Sequence, residues 1–153
     1  MAGTITTGTD LIELLLADHK AAETLLGQVG QDGVDQSALF DQIVHDLVAH
    51  ETAEEEVLYP EVRATVPGGN ALADARIGEQ QTAEGLMAKM EHMDRTAGEF
   101  SHSLTELRDA AMAHAKAEEA GVFPKLRESL DEDSLQVLGQ LYQVAKAAAP
   151  AHP

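Results

Sequence analysis

Two short blocks carry the residues best suited to chemistry. HETAEEEVLYP, from His50 to Pro60, and HAKAEEAGVFP, from His114 to Pro124, each begin with a histidine followed four positions later by a glutamate. Four residues turn a helix through about 400°, so His50 and Glu54 leave one face a turn apart, as do His114 and Glu118. A carboxylate and an imidazole facing a core are costly unless hydrogen-bonded, protonated or bound to a metal. One such pair reads most simply as a buried His–Glu hydrogen bond. Two pairs on related helices, joined by His19 on a third, point to a metal site. Imidazole with carboxylate suits iron, zinc or manganese, and two carboxylates facing each other across a bundle can bridge two cations.

The helices that must position these groups are readable from apolar spacing. A first helix opens at Asp10 with Glu13 completing a capping box, and runs to about Gly30 along Ile12, Leu15, His19, Ala22, Leu26 and Val29. A second starts near Ser37, carries Ile43, Leu47, His50, Glu54 and Val57, and bends or stops near Pro60. A third spans about Ala71 to Met93, and a fourth starts near Gly98 with Phe100, Leu104, Leu107, His114, Glu118 and Val122 inward. Ser134 to Ala148 reads as a short helix packed outside the others, followed by a loose tail, APAHP. The expected fold is all-α: an up-down-up-down four-helix bundle over 10–128, with an extra C-terminal helix and tail over 129–153.

The first two helices are repeated in the next two. The HxxxE blocks align at an offset of 64, and ADHKAAETLL aligns with GEQQTAEGLM at an offset of 61. That second register places Asp18 on Glu79, Glu23 on Glu84, and His19 on Gln80. Gln80 thus occupies the place of a histidine.

Composition narrows the partners. Aromatic residues make up 3% of the chain, so Leu, Val, Ile, Ala and Met must fill the core, a palette suited to helix packing. The formal charge of −17 repels phosphate backbones, so no nucleic-acid partner is expected. The absence of cysteine excludes disulfides and thiolate ligands. No signal peptide and no apolar run of membrane-spanning length is visible; the expectation is a soluble cytoplasmic protein without a membrane partner.

Together DH (Asp18, His19), HxxxEE with YP (His50, Glu54, Glu55, Tyr59, Pro60) and HxxxEE with FP (His114, Glu118, Glu119, Phe123, Pro124) resemble the hemerythrin-like, or HHE cation-binding, domain over roughly residues 10 to 128. The resemblance implies a non-haem centre of two irons, oxygen-bridged when oxidised. His19 and His50 would serve one iron, His114 the other, and Glu54 and Glu118 would bridge them. It also expects EH where this chain has Glu79–Gln80. The amide oxygen of Gln80 would be a weak ligand, leaving the second iron more open to water or peroxide. Glu84, or Glu23 on the related helix, could supply a compensating carboxylate, or either could be solvated. His45, His92, His102 and His152 are too far from the ligand level or off its face, and Tyr59 and Phe123 read as packing residues.

The function expected is reaction with, or binding of, a small oxidant or diatomic ligand: peroxide, oxygen or nitric oxide. An open second metal position favours catalase-like peroxide breakdown over reversible oxygen carriage. The alternative is a non-catalytic iron-binding or iron/oxygen-sensing module.

Overall fold

The computed structural model describes residues 9–150, and among them every regular element is helical. The elements are α1 (Leu11–Leu26), α2 (Gln36–Ala53), a wide π turn (Glu54–Leu58), α3 (Tyr59–Thr65), α4 (Gly69–Glu91), α5 (Gly98–Gly121), α6 (Phe123–Ser129) and α7 (Glu132–Ala148). The long helices close a ring, α1 on α2, α2 on α4, α4 on α5 and α5 on α1, which is the expected four-helix bundle; α7 packs across α1 and α2. The last three residues of the APAHP tail lie outside the described residues.

Local chemistry sets the helix ends. Asp10 accepts from the backbone N–H of Glu13 at 2.8 Å, as the capping box predicts, and also binds Arg127 at 2.9 Å. α1 stops at Leu26, short of Gly30; the chain tightens there into three-residue turns, with Gln28 N–H on the Leu25 carbonyl and Val29 N–H on that of Leu26, before Gly30 turns away at a left-handed φ of 78°. The break expected at Pro60 takes a different form. Pro60 has no N–H to give, and the chain widens into the π turn, where Tyr59 N–H reaches back to the Glu54 carbonyl. The helical path therefore does not end there, and continues as α3.

Two apolar clusters fill the interior. One gathers Leu11, Leu15, Leu58, Val62, Leu126 and Leu135. The other gathers Phe40, Ile43, Met87, Met90, Phe100 and Leu104. The imidazoles and carboxylates of interest belong to neither. His19 comes from the middle of α1, His50 and Glu54 from the end of α2 and the start of the π turn, and His114 and Glu118 from the last turns of α5.

The C-terminal helix packs outside the ring, as expected, and is firmly docked there: Leu135, Leu138 and Tyr142 are buried, and Gly139 lies against the start of α1. A β-carbon at Gly139 would stand 3.1 Å from the Leu11 nitrogen and the Thr9 carbonyl, so this close approach uses the missing side chain.

Candidate metal centre

His19, His50, Glu54 and Glu118 come together in the bundle core, each offering one ligand atom within 4.8 Å of the others. Both glutamates are fully buried. The ring nitrogen His50 Nε2 and the carboxylate oxygen Glu54 Oε2 stand 3.1 Å apart but are not aligned for a hydrogen bond, and neither has another partner. A ring nitrogen and a carboxylate oxygen that face each other in a core without an aligned hydrogen bond are costly, and a cation between them would satisfy both. The donor set therefore fits a metal ion bound by nitrogen and oxygen.

Three histidines share one design. His50 Nδ1–H is shared between the Tyr142 oxygen at 2.7 Å and Asp18 at 3.2 Å. His114 Nδ1–H donates to Glu79 at 2.9 Å, and His19 Nδ1–H to Glu119 at 2.8 Å. In each ring an outer acceptor holds Nδ1, which fixes the tautomer and turns Nε2 toward the two buried carboxylates. His19 Nε2 reaches Glu118 at 3.1 Å, and His114 Nε2 lies 3.4 Å from Glu118 and 3.8 Å from Glu54. These are the outer contacts that metal-binding histidines ordinarily need.

Gln80 is buried where the repeat locates a histidine, and its amide nitrogen donates to Glu54 Oε1 at 2.6 Å. Swapping the amide would set two oxygens against each other, so the nitrogen faces Glu54. The same nitrogen lies 3.3 Å from His114 Nε2, while Gln80 Oε1 has no partner. Rather than offering its oxygen to the cluster, the amide here acts as a donor to Glu54.

Glu23 is exposed on α1 and is not one of the clustered ligands. Glu84 is half-buried and outside the cluster too; its charge is felt at Glu51 and Glu55. Phe123 packs as expected, with its ring stacked on His19 at 5.4 Å between centroids. Tyr59 does more than pack: its hydroxyl donates to Glu118 Oε2. His45 and His102 sit on the surface with acidic neighbours.

Electrostatics bind the cluster tightly in the absence of metal. Burial opposes a charged ring at His50 and His114, yet Glu54 and Glu118 outweigh it and push the two up to about 10 and about 11. Burial would raise Glu118, but His114 and His19 hold it well below the usual carboxylate range. Asp18 is lowered likewise, against its burial, by His50, Lys146 and Tyr142. Tyr59 is pushed far upward by burial and by Glu54 and Glu118, so it stays a phenol and a donor.

Several of these groups escape a reading of helix seams. Asp18 and Glu79 do carry a signal, since each immediately precedes the aligned His19 or Gln80. Glu119 follows Glu118 in the EE pair. Tyr142 and Lys146 carry none, because they come from α7, and only its docking brings the Tyr142 hydroxyl and Lys146 ammonium onto Asp18; the Lys146 contact is 2.7 Å. Glu51 is also buried, one position from His50, with Oε2 unpartnered.

A model of the Hemerythrin HHE cation binding domain family matches residues 10–126. Over 150 residues the chain is 29% identical to a Nostoc sp. protein named DNA nickase; the match covers 94% of this chain but 42% of that one, so the chain spans less than half of this relative. The crystal structure of a hemerythrin HHE cation binding domain-containing protein from Mycobacterium kansasii superposes with a TM-score of 0.77 at 18% identity, covering 91% of this chain and 86% of that chain. At that identity the likeness is one of fold.

Proposed function

The chain belongs to the hemerythrin HHE cation-binding family, and from that premise we propose that it is a non-haem iron protein that reacts with a small oxidant, peroxide first among them. One observation carries the proposal. Three histidines, each anchored at Nδ1 from outside, aim Nε2 at two fully buried glutamates. Such a layer is expensive to bury without a cation and well prepared to hold one.

In this reading His19, His50, Glu54 and Glu118 would hold one iron, and His114, with the same two glutamates, would help hold a second. Iron bound there supplies the accessible oxidation states and open positions that peroxide chemistry needs. The chain's own residues do the remaining work. Asp18 with Tyr142, Glu79 and Glu119 fix the three imidazoles in the binding tautomer. Tyr59 holds Glu118 in place. Gln80 occupies one oxygen of Glu54, which leaves the His114 side with fewer strong ligands and more room for a small molecule. That shortage favours peroxide breakdown over reversible oxygen carriage, which needs a firmly held pair.

A second reading has its own support. α7 grips the site through Tyr142 on His50, so a change at that ring could be passed to the outer helix, as an iron- or oxygen-sensing module requires. The charge of −17 and the partial span of the Nostoc relative support no nucleic-acid activity for this domain. We place the protein in a reducing cytoplasm, where ferrous iron is available and a chain without cysteine is at home.

Iron per chain after anaerobic ferrous loading and desalting tests the proposal, followed by peroxide turnover against free-iron controls. Two irons with turnover above the controls is the result expected. Iron without turnover would favour the sensing module, and no retained iron would sink both.

A further inference from the structure

Between α1, α2, α5 and α7 lies a cleft of about 520 Å³ that opens onto the histidine layer. Small-molecule sites commonly span about 300–1,000 Å³, whereas hydrogen peroxide or dioxygen, with two heavy atoms, needs only a small part of such a space. The walls are apolar and made of short side chains. Ala22, Ala49, Ala111 and Ala115 leave the room, and Leu47 and Met112 close it. His19, His50 and His114 all reach the same cleft, so its apolar space is continuous with the candidate metal centre.

Glu51 adds a polar group to this cleft. It is 3% exposed, it lines the cleft, and its Oε2 has no hydrogen-bond partner. A buried polar atom left open in this way wants a ligand or a water. Away from the histidines, Asp18, Glu23, Asp46 and Glu119 line the cleft against Lys116 and Lys146, and Lys146 is already held by Asp18 at 2.7 Å, so the outer wall disfavours an anion. A fitting occupant is neutral, has an apolar body, and carries one small polar end that both donates and accepts hydrogen bonds.

We propose that the cleft between α1, α2, α5 and α7 binds an organic hydroperoxide, its apolar body against the alanine-lined wall and its O–O–H end toward Glu51 and the histidine layer. This names a substrate class for the function proposed above and depends on that reading. A hydroperoxide O–H group can both donate and accept, so it completes Glu51 Oε2 whether or not that carboxyl carries a proton.

The test is calorimetric titration of the iron-loaded protein with 2-phenyl-2-propanol, the unreactive alcohol analogue of cumene hydroperoxide, beside phenylacetate as an anion of similar size. Saturable one-to-one binding of the alcohol is expected, with phenylacetate markedly weaker. Leucine at either of two wall positions, Ala22→Leu or Ala111→Leu, should weaken the alcohol by about tenfold or more by filling the space. Melting temperature and iron content show whether each variant is folded and loaded, and the wild-type titration stands without them. No saturable heat, tighter binding of phenylacetate, or undiminished binding in both folded variants overturns the proposal. A protein that retains iron but binds no alcohol fails the cleft alone; one that binds the alcohol but retains no iron fails the iron reading alone.

Discussion

Glu79 holds Nδ1 of His114 at 2.9 Å, the same service that Asp18, 61 positions earlier, performs for His50 at 3.2 Å. The sequence repeat is thus a repeat of contacts. His19 Nε2 meets Glu118 Oε1 at 3.1 Å, and its counterpart Gln80 meets Glu54 Oε1 at 2.6 Å. The symmetry fails at two places, both on the Glu54 side. Gln80 replaces a histidine, and Phe123 stands where the other half has Tyr59, whose hydroxyl fills Glu118 Oε2. Glu54 Oε2 is accordingly left without a hydrogen bond.

Restoring the symmetry should change metal binding. Gln80→His removes the amide from Glu54 and adds a ring nitrogen beside His114. Affinity for the second iron should rise by about tenfold or more, a typical scale for changes around a metal site. Competition with a chelator measures it, and an unchanged stoichiometry and affinity would remove Gln80 from the account.

Tyr142→Phe tests the reach of α7. The variant loses the hydroxyl that links His50 to Asp18, at a cost of about 1–2 kcal/mol in the metal-free protein. Iron affinity should also fall by about tenfold, because the ring is less firmly oriented. Denaturant melts and chelator competition read the two effects separately. A variant with normal affinity would make α7 a packing element only.

Tyr59→Phe leaves Glu118 Oε2 in the situation of Glu54 Oε2. Breaking this buried hydrogen bond to a charged group should destabilise the metal-free protein by about 1.5–3 kcal/mol. Iron loading should recover part of that loss, since a cation can take up the vacated oxygen. Melting curves with and without iron decide it; a loss unaffected by iron would separate Tyr59 from the metal site.

The metal-free protein should be most stable at mildly acidic pH, between the ordinary glutamate value of 4.5 and the ordinary histidine value of 6.5. His50 and His114 are raised from 6.5 to about 10 and about 11, so their stabilisation is complete below pH 6.5 and is lost as pH rises through those values. Glu51, lifted well above 4.5 by burial and by Glu84 and Glu54, adds a loss that begins as pH rises above 4.5. Glu118 is lowered from 4.5, so its contribution is present above that value and is lost as pH falls through its depressed folded value. Urea midpoints across this range should trace a dome. Iron affinity should climb over the alkaline limb, because binding displaces the imidazole protons. A flat profile from neutral to about pH 10 would contradict the His–Glu pairing.

The four long helices and the C-terminal one, their order and the inward-facing His50, Glu54, His114 and Glu118 were legible in the sequence; the short α3 and α6 were not. Each depends on local periodicity: a helix turns about 100° per residue whatever surrounds it, so three- and four-residue steps determine which side chains share a face. The repeat extended this to pairs of helices, and marked Gln80 as a substituted position before any contact was known. Contacts between distant segments obey no such period. That Tyr142 would reach His50 depended on how α7 docks against α1, with Gly139 admitting the close approach. That Tyr59 would donate to Glu118 depended on the π turn ahead of Pro60 and on the packing of neighbouring helices. That Gln80 would turn its nitrogen rather than its oxygen to the core was settled by Glu54 lying opposite. The sequence determined which groups face inward; packing between helices decided what each one meets, because a side chain's partner is set by distance in space rather than by separation along the chain.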